Sequence, residues 1–338
     1  MFKIFSKSIL LIVFSVVICC ILYPIALWAV GQVLFPSQSN GSMLMGPDGK
    51  PVGSRLIAQP FTKDEYFQPR PSAASYDASA SASSSLAGSN YALRDRVART
   101  LGPIVAYRSG PKAGQPVAPD IEQWFQKDKF QGAPHIVAQW ADMHNSLAQA
   151  WVTSDATHTA YVSAWAKTHP KDVAQFMKDN PAVSQPKEAD LAVTFFKSFS
   201  AENAGKFPSV VTRKGKDGKP QTTIEPVTAG SDIQSIFFDM WRQDHADADI
   251  QDIPGDLVTT SASGLDPHIS LQNAEFQLDR VAPKWAADLK RDQAEVRKEI
   301  EQILQKNASA AWNGLIGEKF VNVLEINLKL RNKYGEPR

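Results

Sequence analysis

From Ile9 to Leu34 the chain runs 26 residues without a charge, and about 20 apolar residues suffice to cross the hydrocarbon core of a bilayer. Lys3 and Lys7 precede the run, and the next charged residue is Asp48. Cationic flanks stay on the cytoplasmic side, so residues 1–8 are expected inside, 9–34 in the membrane and the remainder exported. Tyr23, Trp28 and Phe35 are placed for the outer interface. Pro24 is expected to kink the helix, with neighbouring helices helping to satisfy the carbonyl it frees. The rival reading is a cleaved signal peptide, whose apolar region spans about 7–15 residues before a small-residue site. This run is longer, and Trp28 interrupts the candidate pair Ala26 and Ala29. One helix cannot line a pore by itself, since a lining draws polar groups from several elements. No T-V-G-Y-G filter run is present, so any ion transport needs other chains.

The rest of the 338 residues is of ordinary globular composition, with 21% charged and 43% hydrophobic residues. A formal net charge of +1 provides no global field for nucleic acid. Both cysteines, Cys19 and Cys20, lie in the apolar run and read as small apolar fillers. A disulfide framework and a thiolate zinc site beyond the membrane are thereby excluded.

After the membrane run, Ser42–Ile57 reads as a hairpin. Met43–Met45 is one strand, Gly46-Pro47-Asp48-Gly49 the turn, and Val52–Ile57 the return. Pro60, Pro69 and Pro71 then impose an extended segment that carries Phe61, Tyr66 and Phe67. Ser72–Asn90, rich in serine and alanine, is a loop either held by neighbours or mobile. Leu93–Leu101 reads as a short helix. Five tryptophans (Trp124, Trp140, Trp151, Trp165 and Trp241) fall between about residues 102 and 249. A weak repeat places Trp140-Ala141-Asp142-Met143-His144 against Trp165-Ala166-Lys167-Thr168-His169, each half a pair of short helices punctuated by Pro170 and Pro181. These aromatics are expected as core knobs between helices. Val210–Thr212 and Thr222–Glu225 flank a basic tip, Lys214–Lys219, as a second hairpin. Leu289–Leu304 is the clearest helix, with Leu289, Val296, Ile300, Ile303 and Leu304 on one face. From Leu324 to Arg331 apolar and polar residues alternate, which favours a half-buried strand; a helix over Phe320–Leu328 stays open.

Few constellations carry chemistry. Ser261, Ser263, Asp266 and His268 lie close in sequence, but hydrolase triads are assembled from separate segments with the serine on a sharp elbow. No such elbow is present. A loop bonded to backbone or to a partner is the simpler reading, and a stand-alone exported hydrolase using Ser263 and His268 is the runner-up. His135, His144, His158, His169 and His245 lack the i, i+4 pairing of a helical metal site. Asp244, Asp247, Asp249 and Asp252 lack the glycine and closing glutamate of a calcium loop and read as a solvated acidic turn. Neither a Walker A loop nor an Asp-Lys-Thr-Gly phosphorylation run occurs, so no ATP hydrolysis is expected from the chain itself.

Three blocks of residues resemble the C subunit of the bacterial potassium-transporting P-type ATPase, the KdpC family. The first holds Tyr23-Pro24, Asn40-Gly41-Ser42, Gly53-Ser54, Gln59-Pro60-Phe61, Tyr66-Phe67 and Arg70-Pro71-Ser72-Ala73, continuing to Gly88-Ser89-Asn90. The second runs from Pro254 to Ile269, through Asp256-Leu257-Val258-Thr259 and Ser261-Ala262-Ser263-Gly264-Leu265-Asp266-Pro267-His268, and extends through Gln277 and Arg280. The third is Gly317 followed by Val321-Asn322-Val323-Leu324-Glu325-Ile326-Asn327-Leu328. The blocks and the helix cover a little over half of the chain. The departure is the middle, where about 150 residues replace a short connection, a tolerable insertion because loop-closure cost grows only logarithmically.

The resemblance implies an α+β protein: one transmembrane helix, then an extracytoplasmic mixed domain in two parts (35–103 and 250–338) around a mainly helical insert (104–249). It implies a non-catalytic accessory subunit in the bacterial inner membrane, with a channel-like potassium subunit and a P-type ATPase subunit as partners. It further implies no stably bound cofactor, with ATP met only through the ATPase subunit. The family's catalytic-chaperone role makes Gln277 the candidate nucleotide contact. That role sits awkwardly with the expected topology, because ATP is cytoplasmic and only about eight residues precede the helix. A role at the extracytoplasmic potassium entrance is favoured. An independent protein-binding module is the remaining reading for the insert.

Overall fold

The computed structural model describes residues 2–46, 48–130, 134–214, 220–310 and 317–337. Residues 215–219 of the expected basic tip Lys214–Lys219 and the residue Pro47 of the first turn lie outside the described residues, as does Trp312. The chain forms two compact units, Met1–Ser85 with Ile253–Arg338, and Leu86–Asp252.

The first unit opens with the apolar helix, Ile4–Leu34, 31 residues long and apolar enough to cross a membrane. Its hydrogen bonding changes over Val17–Leu22, which form a π turn closed by the Tyr23 N–H on the Ile18 carbonyl. Pro24 has no N–H and its ring crowds the carbonyl one turn earlier. Widening the preceding turn accommodates both, which is the form Pro24's disturbance takes here. A short turn of helix at Pro36–Ser39 leads into the hairpin Met43–Met45 with Pro51–Ser54. The return strand stops at Ser54 rather than Ile57, because the Ser54 hydroxyl turns back to the Gly41 carbonyl (2.7 Å) and receives the Leu56 N–H (3.1 Å).

The body of this unit is helical. Leu271–Leu289 and Gln293–Asn307 pack against Val323–Tyr334, and the antiparallel pair His268–Ser270 with Phe320–Asn322 closes one end. The core joins Phe67, Leu278, Val281, Trp285, Val296, Ile300, Val321, Ile326 and Leu330. Two sequence expectations are corrected here. Leu289–Leu304 is not one helix: Leu289 ends one helix and Lys290 turns left-handed (φ 52°). Asp292 then caps the next through the Glu295 N–H (3.0 Å). The alternating stretch Leu324–Arg331 is helix, not strand. Asn322 caps it by accepting the Glu325 N–H (3.1 Å), and Val323, Ile326, Asn327 and Leu330 are all buried, a helical spacing. Leu324 and Leu328 are buried beside them, so the alternation reflects a helix covered on two faces.

The second unit is an aromatic-centred bundle with one hairpin, Phe207–Lys214 with Pro220–Val227, which is longer than expected. The short helix expected at Leu93–Leu101 runs from Tyr91 to Leu101 behind an Asn90 cap. Trp140, Phe125, Phe195, Phe196, Phe207 and Phe237 are fully buried and mostly meet edge to face, the arrangement favoured by ring quadrupoles. The expectation of core knobs is met at Trp140, Trp151, Trp165 and Trp241. The tryptophan–histidine repeat acquires a local meaning. His144, His169 and His245 each end a helix in nearly the same conformation, with φ between −128° and −121°. The rings of His169 and His245 stack on Trp165 and Trp241, four residues earlier. Each donates Nδ1–H to that tryptophan's carbonyl at 3.0 and 2.9 Å, satisfying one of the acceptors a helix end leaves open.

Candidate functional site

Pro60, Pro69 and Pro71 remove three backbone donors from the segment Gln59–Ser72, so it cannot join a sheet ladder. Its peptide groups are nevertheless partly buried and need partners. Side chains supply them. Asn327, 1% exposed, accepts the Phe67 N–H and donates to the Phe67 carbonyl, both at 2.9 Å. One residue on, Gln277 accepts the Gln68 N–H (2.8 Å) and donates to the Gln68 carbonyl (3.0 Å). Two carboxamides thus imitate two rungs of a strand. Arg280 reaches the carbonyls of Asp64 and Tyr66, and the Trp285 indole donates to the Glu65 carbonyl at 2.7 Å. Phe61 packs on Tyr66, and Tyr66 meets Trp285 edge-on.

The hairpin is fixed in the same manner. Gln59 donates to the Val52 carbonyl (3.0 Å), and Asn322 donates to the Arg55 carbonyl (2.8 Å). Arg55 and Glu325 form an ion pair. Asn40 bonds to Pro36 and Gln32, while Gly41 and Ser42 take the left-handed conformations that turn the chain. Tyr23 and Pro24 lie in the membrane helix, beside the π turn.

The loop from Pro254 to His268 receives the other end of the segment. Arg70 donates to the Thr260 carbonyl (3.0 Å) and to Thr259. Pro71 ends the proline-rich stretch, and the Ser72 hydroxyl donates to the Gly264 carbonyl. Gly264 is left-handed (φ 72°), and a Cβ there would lie 2.8 Å from the Ala82 carbonyl oxygen and 3.0 Å from the Ala74 nitrogen. The Leu265 carbonyl accepts the Ala58 N–H, and the Ser263 carbonyl accepts Ala82 N–H and Ser81 hydroxyl. Residues 72–85, one part of the serine-rich loop, are therefore held by neighbours.

The same loop borders a cleft of about 590 Å³ lined by Arg70, Asp256, Asp266, His268, Ser270, Gln272, Glu318, Lys319 and Phe320. Asp266 accepts both the backbone N–H and Nδ1 of His268 (3.0 Å each). These bonds hold its carboxyl below the usual range, with a smaller contribution from the charge of Arg70. The His268 ring rests edge-on against Phe320. Asp256 accepts from the Ser270 backbone and hydroxyl (2.7 and 3.0 Å), and Ser270 caps the Leu271–Leu289 helix. The Ser263 hydroxyl accepts the Leu265 N–H, a bond that does not engage His268, whose Nδ1 is taken by Asp266, and Ser261 is buried. Gln272, Glu318, Lys319 and Phe320 of the cleft carry no motif and come together only through the strand pair. Asn273, which accepts from Gln277 (2.9 Å), was likewise invisible in sequence, because nothing marked Leu271–Leu289 as a helix.

In the second unit, three residues of the acidic turn, Asp244, Asp249 and Asp252, are matched by cations. Asp244 meets Lys129 and Trp124, while Arg108 bridges Asp249 and Asp252. Among the described residues there is no group of three or more His, Cys, Asp or Glu arranged to hold a metal ion.

The model of the family described as K+-transporting ATPase, c chain, matches residues 5–123 and 233–332. Among related proteins, a potassium-transporting ATPase KdpC subunit of Pseudomonas aeruginosa is 51% identical over 77 residues, 23% of this chain and 42% of that protein. The one of Pseudomonas syringae pv. tomato is 42% identical over 111 residues, covering 33% and 58%. The matched segments thus span about half the length of these relatives. The KdpC subunit of Clostridium kluyveri is 23% identical over 334 residues, 99% of this chain and 96% of its own, so it runs alongside the middle region as well. With more than half of its length matched by the family model, the chain belongs to the family of the c chain of K+-transporting ATPases.

Proposed function

We propose that this chain is a non-catalytic accessory subunit of an ATP-driven potassium-uptake complex, acting outside the cytoplasm at the potassium entrance. The relatives are named as subunits of a potassium-transporting ATPase, and the family resemblance makes a channel-like potassium subunit and a P-type ATPase subunit the partners. The observation that carries the reading is the joining of the family motifs into one unit directly attached to an apolar helix of membrane-spanning length. Lys7 before the uncharged run and Asp48 as the first charge after it favour a cytoplasmic N-terminus and exported units.

The cleft beside Asp266 and His268 is the surface we assign to a partner. It mixes Arg70 and Lys319 with Asp256, Asp266 and Glu318, which suits a polar peptide loop better than a bare ion or a phosphate. Gln277 fits a nucleotide contact poorly, since its amide already bonds to Gln68, Asn273 and Arg280. A chaperone role toward ATP would therefore be exerted through the ATPase subunit.

The test is complementation of a strain lacking this gene at limiting potassium. The full chain restores growth and co-purifies with two large subunits; His268→Ala with Lys319→Glu weakens co-purification without unfolding the chain. Normal growth of the deletion strain at micromolar potassium would refute the reading.

A further inference from the structure

The hairpin that follows the membrane helix has two unlike faces. Leu44 lies opposite Gly53, and this face is turned to the domain: a Cβ on Gly53 would fall 1.8 Å from the Gln59 amide nitrogen and 3.0 Å from a Leu324 methyl. Successive strand residues point to opposite faces, so Met43 and Met45, opposite Ser54 and Pro51, point away from the domain. They are 46% and 61% exposed, two unbranched apolar side chains without cover on a three-residue strand.

The hairpin is also tied to the end of the helix. The Asn40 side chain bonds to Gln32 of the helix and to the Pro36 carbonyl. Ser42 N–H bonds to the Ser37 carbonyl, Arg55 N–H to the Ser42 carbonyl, and the Ser54 hydroxyl to the Gly41 carbonyl. Strand and helix end are thus one hydrogen-bonded piece. The uncharged run, at about 1.5 Å per residue, is roughly 39 Å long against a hydrocarbon core of about 30 Å and about 40–45 Å with headgroups. Its last residues therefore lie in the headgroup layer, and Met43 follows Leu34 by nine positions. Phe35, at the junction, is 55% exposed.

We infer that the outward face of the hairpin, Met43 and Met45, rests in the headgroup layer of the bilayer that holds the helix, as a second membrane contact. This rests on the helix spanning a membrane. The occupant is lipid because the face continues, through Phe35 and a bonded turn, the surface that the helix presents to lipid. Two contacts instead of one fix the tilt of the first unit against the membrane, which a single helix leaves free to swivel.

The test uses the full chain with Cys19→Ala and Cys20→Ala, reconstituted in phosphatidylcholine vesicles. Met45→Cys, and separately Met43→Cys, carry an environment-sensitive fluorophore. The expected result is blue-shifted emission that is strongly quenched by lipids bearing a nitroxide near the headgroup. Ile21→Cys, at the middle of the uncharged run and labelled in the same way, reports the helix and is quenched by lipids with a nitroxide deep in the acyl chain. Water-like, unquenched emission from both hairpin positions with Ile21 quenched overturns the inference alone. Blue-shifted but unquenched hairpin emission also overturns it, since the cover is then protein. Absence of quenching at Ile21 refutes the spanning helix itself.

Discussion

Replacing Asn327 with leucine tests whether the motif residues act as clamps. The carboxamide makes two bonds of 2.9 Å to one peptide unit of a fully buried residue, Phe67. Leucine keeps the size and removes both bonds. Each buried polar group left unpaired costs about 1–3 kcal/mol, and some relaxation toward water puts the expected loss at about 2–4 kcal/mol. For a unit of this size, about 2–4 °C of melting temperature accompanies each kcal/mol, so a drop of about 5–15 °C is expected. The local readout is sharper. Amide exchange in the peptide containing Phe67 and Gln68 should accelerate roughly 30- to several-hundred-fold, at about 1.4 kcal/mol per tenfold. Asn327→Asp should behave differently, because a carboxylate accepts the Phe67 N–H but repels its carbonyl; this variant gains stability on acidification, when the introduced carboxyl can donate. Combined with Gln277→Leu, the loss should be less than the sum, since both side chains grip adjoining peptide units. If Asn327→Leu leaves melting and exchange at parental values, the clamp reasoning is wrong.

Gly264→Ala should destabilise the first unit by about 1–2 kcal/mol through its left-handed backbone, and further through the 2.8 Å approach to the Ala82 carbonyl; urea titration reads both, and a neutral result would remove the close approach. Trp140→Ala should cost the second unit about 3–5 kcal/mol, because Trp140 touches Phe196, Phe207 and Phe237 at once; loss of near-ultraviolet dichroism on mild heating reports it. Arg291 above all, then Lys333 and Tyr334, hold the Glu299 carboxyl at about 2, below its ordinary 4.5. A depressed pKa means its contribution is present above pH 4.5 and lost as pH falls through about 2. Glu299→Gln should flatten the acid limb of the melting profile, and added salt should weaken the effect, since these groups face solvent.

Much of the architecture was legible because it rests on composition and period. The uncharged run, the hairpin at Met43, the aromatic bundle and the Trp140 and Trp165 helices follow from patterns within a few turns of chain. Leu271–Leu289 escaped notice because Pro283 sits inside it and its buried face includes Asn273 and Gln277, polar residues that a hydrophobic-period count discards. Val323–Tyr334 was misread for the same reason, its buried Asn327 counting as a solvent-side residue in a strand. The capping pair Asn322 and Glu325 was the local signal that could have corrected it. The cleft could not be found from sequence, because Lys319 and Phe320 reach Asp266 and His268 only through a strand pair that closes over about fifty residues.

The motif residues are largely consumed in holding the first unit together. Phe67 to Asn327, Gln68 to Gln277, Ser72 to Gly264 and Arg55 to Asn322 are separated by 260, 209, 192 and 267 positions. A domain interrupted by a whole second unit must close long loops before such bonds form, and each doubling of loop length adds only about 0.6 kcal/mol. From a connection of about ten residues to the unit Leu86–Asp252 is roughly four doublings, about 2.4 kcal/mol; two satisfied carboxamide clamps are enough to offset that, which is why an interruption of this size is thermodynamically cheap. It follows that resemblance at Asn327, Gln277 or Gly264 reports a shared way of joining two halves of a domain. Contact with other subunits is better sought where motif side chains still face solvent, at Asp266 and His268 in the cleft.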